Sequence, residues 1–435
     1  MSDEDPRRRV PRTDRVLADE RVVRAGASLA PAAVRAAVTA AQARVRAGEI
    51  APDDVVPAVV AELTSRGACS LTPVLNATGV VVHTNLGRAP LSEAARQALL
   101  DASGYVDVEL DLATGQRSRR GVAAREALLE ACPAAEDALV VTNGAAALVL
   151  ATTALAGNGE VVISRGEFVE IGAGFRLSDL MESTGARLRE VGTTNRTHPE
   201  DYRAALGPET GCLLKVHPSN FRVEGFTSSV PLAELRALAD EFHVPLVVDV
   251  GSGLLTPDPS LPDEPSLSEA LEAGADAVIA SGDKLFGGPQ AGLLLGRSET
   301  IQRLARFPLA RAVRADKLTL AALEATLRGG PAPVARALHA DPRTLHARAQ
   351  RLADAVGAEV VPHDGRVGGG GAPGVPLPGW AVRLPEAAAR ALRLGTPAVL
   401  PRVHDGACLV DPRCVPEAED PVLERAVSAA LDGVR

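Results

Sequence analysis

The chemistry open to this chain starts from its amines. Of 46 basic residues among 435, only three are lysines, at Lys215, Lys284 and Lys317. Lys284 stands in Ala-Val-Ile-Ala-Ser-Gly-Asp-Lys-Leu-Phe-Gly-Gly-Pro-Gln-Ala-Gly, from Ala277 to Gly292. An apolar strand ends there, small and polar residues surround one amine, and Gly287 and Gly288 allow close backbone approach. A lysine at the carboxyl end of a strand can point into a cleft, condense with an aldehyde cofactor and later move a proton. Lys215, in Leu-Leu-Lys-Val-His-Pro, is the second candidate. Lys317, in Arg-Ala-Asp-Lys-Leu-Thr-Leu, reads as an exposed helical position.

Asp249 closes the strand Pro-Leu-Val-Val-Asp-Val-Gly-Ser-Gly, 35 residues before Lys284. A carboxylate after four apolar strand residues is costly to bury without a partner. A protonated pyridine nitrogen supplies one and maintains the ring as an electron sink; a turn or helix cap is the plainer alternative. Thr-Asn-Gly-Ala-Ala-Ala, from Thr142, follows the strand Leu139–Val141 and opens a helix. Backbone N–H groups at Asn143, Gly144 and Ala145 would face an anion there, favoured by the helix dipole. The anion-binding turn, the carboxylate and the amine follow in the order expected of one cofactor site.

Two arginine groups stand apart. Arg88 lies in Asn-Ala-Thr-Gly-Val-Val-Val-His-Thr-Asn-Leu-Gly-Arg-Ala-Pro-Leu, and Arg311 and Arg314 lie in Leu-Ala-Arg-Ala-Val-Arg-Ala-Asp-Lys. A fork of guanidiniums suits a tetrahedral oxyanion, while a solvated arginine face is the plain reading in so arginine-rich a chain. His83 and His217 read as hydrogen-bonded structural residues rather than catalysts. Glu167 and Glu170 follow a strand and could face the cleft, although placement near a helix N-terminus explains them equally.

The elements that position these groups are legible as texture. The first seventy residues read as helical, one run from Pro31 ending at Gly48 and another from Pro52 to Ser65, with Asp53 and Asp54 at its favoured end. From about Leu71 to Arg328, short apolar runs alternate with helical patterns. The strands expected are Ala138–Val141, Glu160–Ser164, Arg187–Val191, Cys212–Val216, Pro245–Val250 and Ala277–Ala280. Helices are expected at Leu232–Phe242 and Ser266–Glu272, and a buried one from Gly144 to Gly157. Continuous apolar strands alternating with helices imply a mostly parallel sheet covered on both faces, with ligands at the strands' carboxyl ends. After Gly329, Gly330 and Pro331 a smaller unit follows, with Gly368 to Gly371 expected as a flexible loop. The expected domains are residues 1–70, 71–330 and 331–435.

Composition narrows the field further. The net charge is -9 and aromatics are 2%. Neither a bulk positive field nor aromatic stacking platforms attract nucleic acid, so RNA binding must come from a local patch. The five cysteines are odd in number and form no Cys-x-x-Cys pair, which argues against a disulfide framework or zinc site. The charged stretch Met1–Val10 lacks the apolar core of a signal peptide, and Gly144 to Gly157 is too short to span a bilayer. A cytoplasmic protein with no membrane association is expected.

The segments Leu75–Leu91, Ser164–Thr197, Leu213–Phe226, Val247–Gly253, Ser281–Gly292 and Arg311–Leu327 closely resemble the bacterial selenocysteine synthase family, the L-seryl-tRNA(Sec) selenium transferases. The resemblance implies a fold-type-I pyridoxal-phosphate enzyme. It implies a small helical N-terminal domain that engages tRNA, a large catalytic domain, a smaller α+β C-terminal domain and a homo-oligomer built from dimers, with a decamer expected. The family's Schiff-base lysine falls on Lys284. Its selenophosphate-binding arginines fall on Arg88, Arg311 and Arg314, and the cofactor-binding residues expected are Asn143, Gly144, Ala145, Asp249, Ser281 and Lys284. The implied reaction replaces the β-hydroxyl of serine on seryl-tRNA(Sec) with selenium from selenophosphate. The loop Tyr105–Gly121 departs from the pattern, with Arg-Ser-Arg-Arg at 117–120 where Arg-Gly-Ser-Arg is expected. Two rival readings are a lyase or deaminase of a free or phosphorylated amino acid, and a non-catalytic oligomeric RNA-binding scaffold. The apparent N-terminal domain disfavours the first, and the intact Lys284, Asp249 and Asn143-Gly144 set disfavours the second.

Overall fold

The computed structural model describes residues 9–65, 69–172 and 174–433; residues 1–8 of the charged N-terminal stretch lie outside the described residues. Two compact units emerge, Met1–Pro73 and Val74–Arg435.

The first unit is helical. The helix Pro31–Ala47 carries proline in its first turn and ends at Gly48, whose φ of +78° is the left-handed cap that glycine adopts without strain. Asp53 and Asp54 form a 3₁₀ turn that leads into the helix Val55–Ser65. Val16, Val22, Val38, Val45, Val59 and Leu63 bury one another in a core of their own.

The second unit is built on a seven-stranded sheet. Its spatial order is Asp137–Val141, Gly292–Gly296, Ala277–Ser281, Leu246–Gly251, Thr210–Val216, Glu160–Ser164 and Arg187–Val191. Every strand runs parallel except Gly292–Gly296, which is antiparallel to both neighbours. The six parallel strands fall where the apolar runs predict. The seventh, Gly-Leu-Leu-Leu-Gly, is absent from the sequence-based set because its glycine-bounded apolar run has no periodicity of its own.

The continuous apolar character of these strands follows from their two buried faces. Val162, Leu213, Val248 and Val278 enter one core, and their neighbours Ile163, Leu214, Val247 and Ile279 enter the other. Side chains alternate across a strand, so both sets must be apolar when helices cover both sides. The helix Gly144–Ala156 is one such cover, with Ala147, Leu148, Leu150, Ala151, Thr152, Ala154 and Leu155 buried.

A second sheet organises the C-terminal region in the order Val74–Ala77, Ala398–His404, Ala407–Val410, Trp380–Pro385 and Glu359–Pro362. Val74–Ala77 runs parallel to Ala398–His404, and Val80–Val82 pairs with Gly365–Gly368. The C-terminal sheets thus take strands from the start of the segment expected to belong to the large domain. Short strands cannot stand alone and join whatever edge offers hydrogen bonds. No helix among the described residues is long and apolar enough to cross a membrane.

Candidate active site

Strand register sorts the lysines. Lys215 lies opposite Val248, and its neighbour Val216 lies opposite Asp249. Residues in register on adjacent strands project to the same face. Lys215 and Asp249 therefore face opposite sides of the sheet. Lys215 is also committed: its Nζ lies 2.7 Å from Glu167 Oε1, and Glu167 Oε2 accepts the Val216 N–H at 3.0 Å. Glu167 is accounted for by this buried pair, and Glu170 by an ion pair with Arg176 at 3.0 Å. Lys317 opens the helix Lys317–Arg328 and donates to the Gly104 carbonyl. It is half-buried rather than exposed, because that contact draws its side chain across the protein surface.

Lys284 follows the strand Ala277–Ser281 and is half-buried. Its charge is influenced by Asp249, Asp283 and Glu264 on one side of the balance and by Arg88 on the other, and burial holds its pKa below the ordinary lysine value. Asp249 sits at the end of the strand Leu246–Gly251, just before a register shift against Ile279 and Ala280. Such irregularities re-aim side chains at the rims of sites. Burial pushes the Asp249 carboxyl up to about 6, against the opposing attraction of Lys284. Its Oδ1 accepts the Gly251 N–H at 2.9 Å, which leaves Oδ2 for another donor.

The turn at Asn143–Ala145 opens a helix at the end of the strand Asp137–Val141. Asn143 caps the helix Gly144–Ala156 by accepting the Ala146 N–H at 2.8 Å. The N–H groups of Gly144 and Ala145, in the first turn, have no intrahelical acceptor. A Cβ at Gly144 would come within 2.8 Å of Ser281 Oγ, so the turn and the end of the Lys284 strand are packed together. A turn of free N–H groups, a carboxylate with one free oxygen and a partly desolvated amine are the three fittings pyridoxal phosphate requires. The residues present fit that group.

The most informative departure lies at Gly368 to Gly371. Expected as a flexible loop, the segment is closely packed, with Gly370 and Gly371 buried. Gly370, at φ +106°, lies so close that a Cβ there would sit 2.5 Å from Lys284 Cδ and 3.0 Å from its Nζ. A Cβ at Gly371 would sit 2.8 Å from a Leu285 methyl. These glycines form a wall of bare backbone against the lysine and its neighbour. Their low side-chain content reads as flexibility in the sequence because a glycine run carries no sign of what it packs against.

The arginines do not form one cluster within the chain. Arg88, at φ +67°, donates to Asp283 Oδ2 at 2.8 Å, beside Lys284. Arg311 and Arg314 line a cavity of about 370 Å³ together with Arg119, Arg120, Arg125 and Arg306. Lys284, Asp249 and Arg88 are not among its lining residues. The backbone of this segment does reach the anion-binding turn, since the Thr142 N–H donates to the Val313 carbonyl at 2.9 Å. The Arg314 side chain turns instead to Glu109, at 3.1 Å, which also holds Arg117 and Arg120. The divergent 105–121 loop thus supplies a carboxylate that gathers three guanidiniums.

His83 is partly buried, burial lowers its pKa, and its Nδ1 has no hydrogen-bond partner among the described residues. His217 donates its backbone N–H to the Asp249 carbonyl at 2.8 Å, and its ring lies 3.4 Å from buried Glu264. Glu264 is the residue that sequence reading missed. Its only signal was an acidic residue in the Pro-rich loop 257–265, which is indistinguishable from a solvated turn.

One pH dependence follows for the cofactor-free protein. A carboxyl whose pKa is raised on folding binds its proton more tightly when folded, so its contribution is full below about pH 4 and is lost as pH rises through about 6. The shift of Asp249 from 3.8 to about 6 corresponds to up to about 3 kcal/mol. Urea unfolding at pH 4.5 and pH 7 should show that loss in the wild type and a flatter profile in Asp249→Asn. Equal profiles would remove Asp249 as the responsible group.

Comparison with known proteins agrees with this geometry. A family model described as L-seryl-tRNA selenium transferase matches residues 74–416, and one described as selenocysteine synthase N terminal matches residues 7–46. The L-seryl-tRNA(Sec) selenium transferase of Geobacter sulfurreducens is 44% identical, covering 96% of this chain and 98% of its own. That of Moorella thermoacetica is 44% identical over 84% of this chain and 83% of its own. That of Rhizobium meliloti is 42% identical, at 85% and 86% coverage. Among solved structures, D-glucosaminate-6-phosphate ammonia-lyase superposes with a TM-score of 0.60 at 22% identity, covering 83% of this chain and 96% of that one. That likeness bears on the fold alone.

Proposed function

The chain belongs to the L-seryl-tRNA selenium transferase family, and from that footing we propose that it converts L-seryl-tRNA(Sec) to L-selenocysteinyl-tRNA(Sec), with selenophosphate as selenium donor and pyridoxal phosphate as cofactor. The observation that carries the reading is the meeting of Lys284, Asp249 and the Asn143–Ala145 turn at the carboxyl end of one sheet, in a chain 44% identical to a named transferase over nearly its whole length.

Pyridoxal phosphate supplies an aldehyde that condenses with amines and a ring that takes up the electron pair left by a departing proton. Lys284 would hold the cofactor and, when freed, would take the proton from the seryl α-carbon. Burial suits the amine to that task, because a desolvated lysine is neutral at lower pH than a solvated one. Asp249 holds the proton on the ring nitrogen. Gly144 and Ala145 offer N–H groups to the phosphate beside Asn143 and Ser281. In the overall exchange the β-hydroxyl would leave as water, selenium would take its place on the β-carbon, the α-carbon would regain its proton, and a water molecule would cleave the phosphorus–selenium bond to release phosphate. Arg88, beside Lys284, would meet the donor's phosphoryl group by its guanidinium fork; Arg311 and Arg314, which line a separate cavity of this chain, would reach it from a neighbouring subunit of the homo-oligomer.

The first unit, residues 1–73, forms the tRNA-binding domain; the second, residues 74–435, carries the catalytic sheet and a C-terminal region that draws in the strands of residues 74–82. The assembly is a homo-oligomer of dimers, a decamer by family likeness, working in the cytoplasm. The self-contained core of the first unit supports a separable role. Deleting residues 1–65 should abolish tRNA(Sec) binding in a filter or gel-shift assay while the truncated protein still takes up cofactor. Undiminished tRNA binding would overturn the domain assignment.

The reaction is tested by offering seryl-tRNA(Sec) or free serine, each with selenophosphate. Selenium should appear only on the tRNA-borne amino acid. Conversion of free serine alone would replace the transferase by an enzyme of small amino acids.

A further inference from the structure

Behind Lys284 a buried carboxylate ties two parts of the site together, and we infer that Glu264 is a positioning residue that, through Ala372, holds the wall formed by Gly370 and Gly371 against the lysine and its neighbour Leu285. The inference rests on reading Lys284 as the cofactor-bearing amine.

Glu264 lies in the loop between the strand Leu246–Gly251 and the helix Leu267–Glu272, and its side chain is 1% exposed. Its Oε2 accepts the Ala372 N–H at 2.5 Å. Ala372 has φ +43°, and Gly368, Gly370 and Gly374 are also left-handed. A side-chain-bearing residue rarely adopts that conformation unless its surroundings impose it. No helix or strand holds residues 369–375. Gly369 is tied to the body through its N–H to the Val82 carbonyl, at 2.9 Å, and Ala372 is tied through Glu264. Between those two anchors lie Gly370, against Lys284, and Gly371, against Leu285 and Ser252.

The same Oε2 lies 3.4 Å from His217 Nε2. His217 in turn donates its backbone N–H to the Asp249 carbonyl. Glu264 therefore stands between the wall over the amine and the strand end that carries Asp249. Glu264 Oε1 and His217 Nε2 have no hydrogen-bond partner among the described residues, and both groups line a cavity of about 510 Å³. Burying a carboxylate with so few partners is costly, so its place is explained by what it holds. The charged groups acting on Lys284 are Asp249, Asp283, Glu264 and Arg88. Releasing the wall admits water beside the amine and removes the backbone surface that fixes its side chain.

The test uses the full-length holoenzyme and the variants Glu264→Ala and Glu264→Gln. The readouts are the pH midpoint of the cofactor's visible absorbance, kcat and KM for seryl-tRNA(Sec), and thermal stability. Glu264→Ala should move the midpoint by about one pH unit and lower kcat about tenfold, with KM within about threefold. Glu264→Gln, which keeps a carbonyl acceptor for the Ala372 N–H, should restore kcat to within about threefold of wild type. A normal midpoint in Glu264→Ala, whether or not stability falls, overturns the positioning role. So does Glu264→Gln failing as badly as Ala, since the acceptor would then not be what matters. If the alanine variant does not fold, Glu264→Asp, one methylene short of Ala372, is read by the same criteria. Borohydride reduction of the holoenzyme separates the two failures: cofactor fixed to a peptide lacking Lys284 sinks the site reading itself.

Discussion

Replacing Lys284 with alanine should abolish the visible absorbance of the bound cofactor and lower selenium transfer by at least about 10³-fold. The size of the effect follows from the two tasks assigned to one amine, holding the cofactor and moving the α-proton. The structure offers no substitute nearby. Lys215 is paired with Glu167 on the face of the sheet opposite Asp249, and Lys317 is engaged with the Gly104 carbonyl. The protein should fold, because a half-buried side chain shortened to Cβ removes a desolvated amine and leaves the strand Ala277–Ser281 intact. Absorbance spectra and single-turnover assays with seryl-tRNA(Sec) measure both quantities. A surviving absorbance band in Lys284→Ala would move the attachment to one of the other two lysines and end the present assignment.

Gly370→Ala should be the most damaging change of a residue with no functional group. An added Cβ would lie 2.5 Å from Lys284 Cδ and 2.6 Å from its Cε, at a φ of +106° that side chains rarely tolerate. The flexible lysine will move first, since displacing it costs less than displacing backbone. A displacement of about 1 Å at a reacting group can cost about 10²-fold in rate. The strain itself amounts to about 1–3 kcal/mol. Turnover is therefore expected to fall about 10²-fold while thermal unfolding shifts by only a few degrees. Equal losses in Gly374→Ala, where φ is +82° but a Cβ meets nothing within 4 Å, would show that backbone strain rather than contact with the lysine is responsible.

Much of this site is written locally. The strand before Lys284, the strand before Asp249 and the Asn143 cap are runs of under ten residues whose composition dictates their conformation. Gly48 and Gly144 act where the chain places them. Other features had no local signal. Val74–Ala77 looks like the start of one domain and pairs in the sheet of another. The strand Gly292–Gly296 becomes one only because two buried neighbours offer it hydrogen bonds. Arg314 reads as an oxyanion ligand, yet its side chain meets Glu109 across 205 residues of sequence.

By itself the amino-acid sequence determined the alternation of strands and helices, the scarcity of lysine that singles out Lys284, and the order of turn, carboxylate and amine. These depend on periodicity and composition, which act over a few residues. Tertiary structure alone decided that Lys215 faces away from Asp249, that Gly370 packs against the Lys284 side chain, and that Glu264 holds the segment beside it. Those outcomes depend on register and on close packing between segments distant in the chain, and packing energy is a property of both surfaces at once. A glycine states that something may approach it, and only the folded chain states what does.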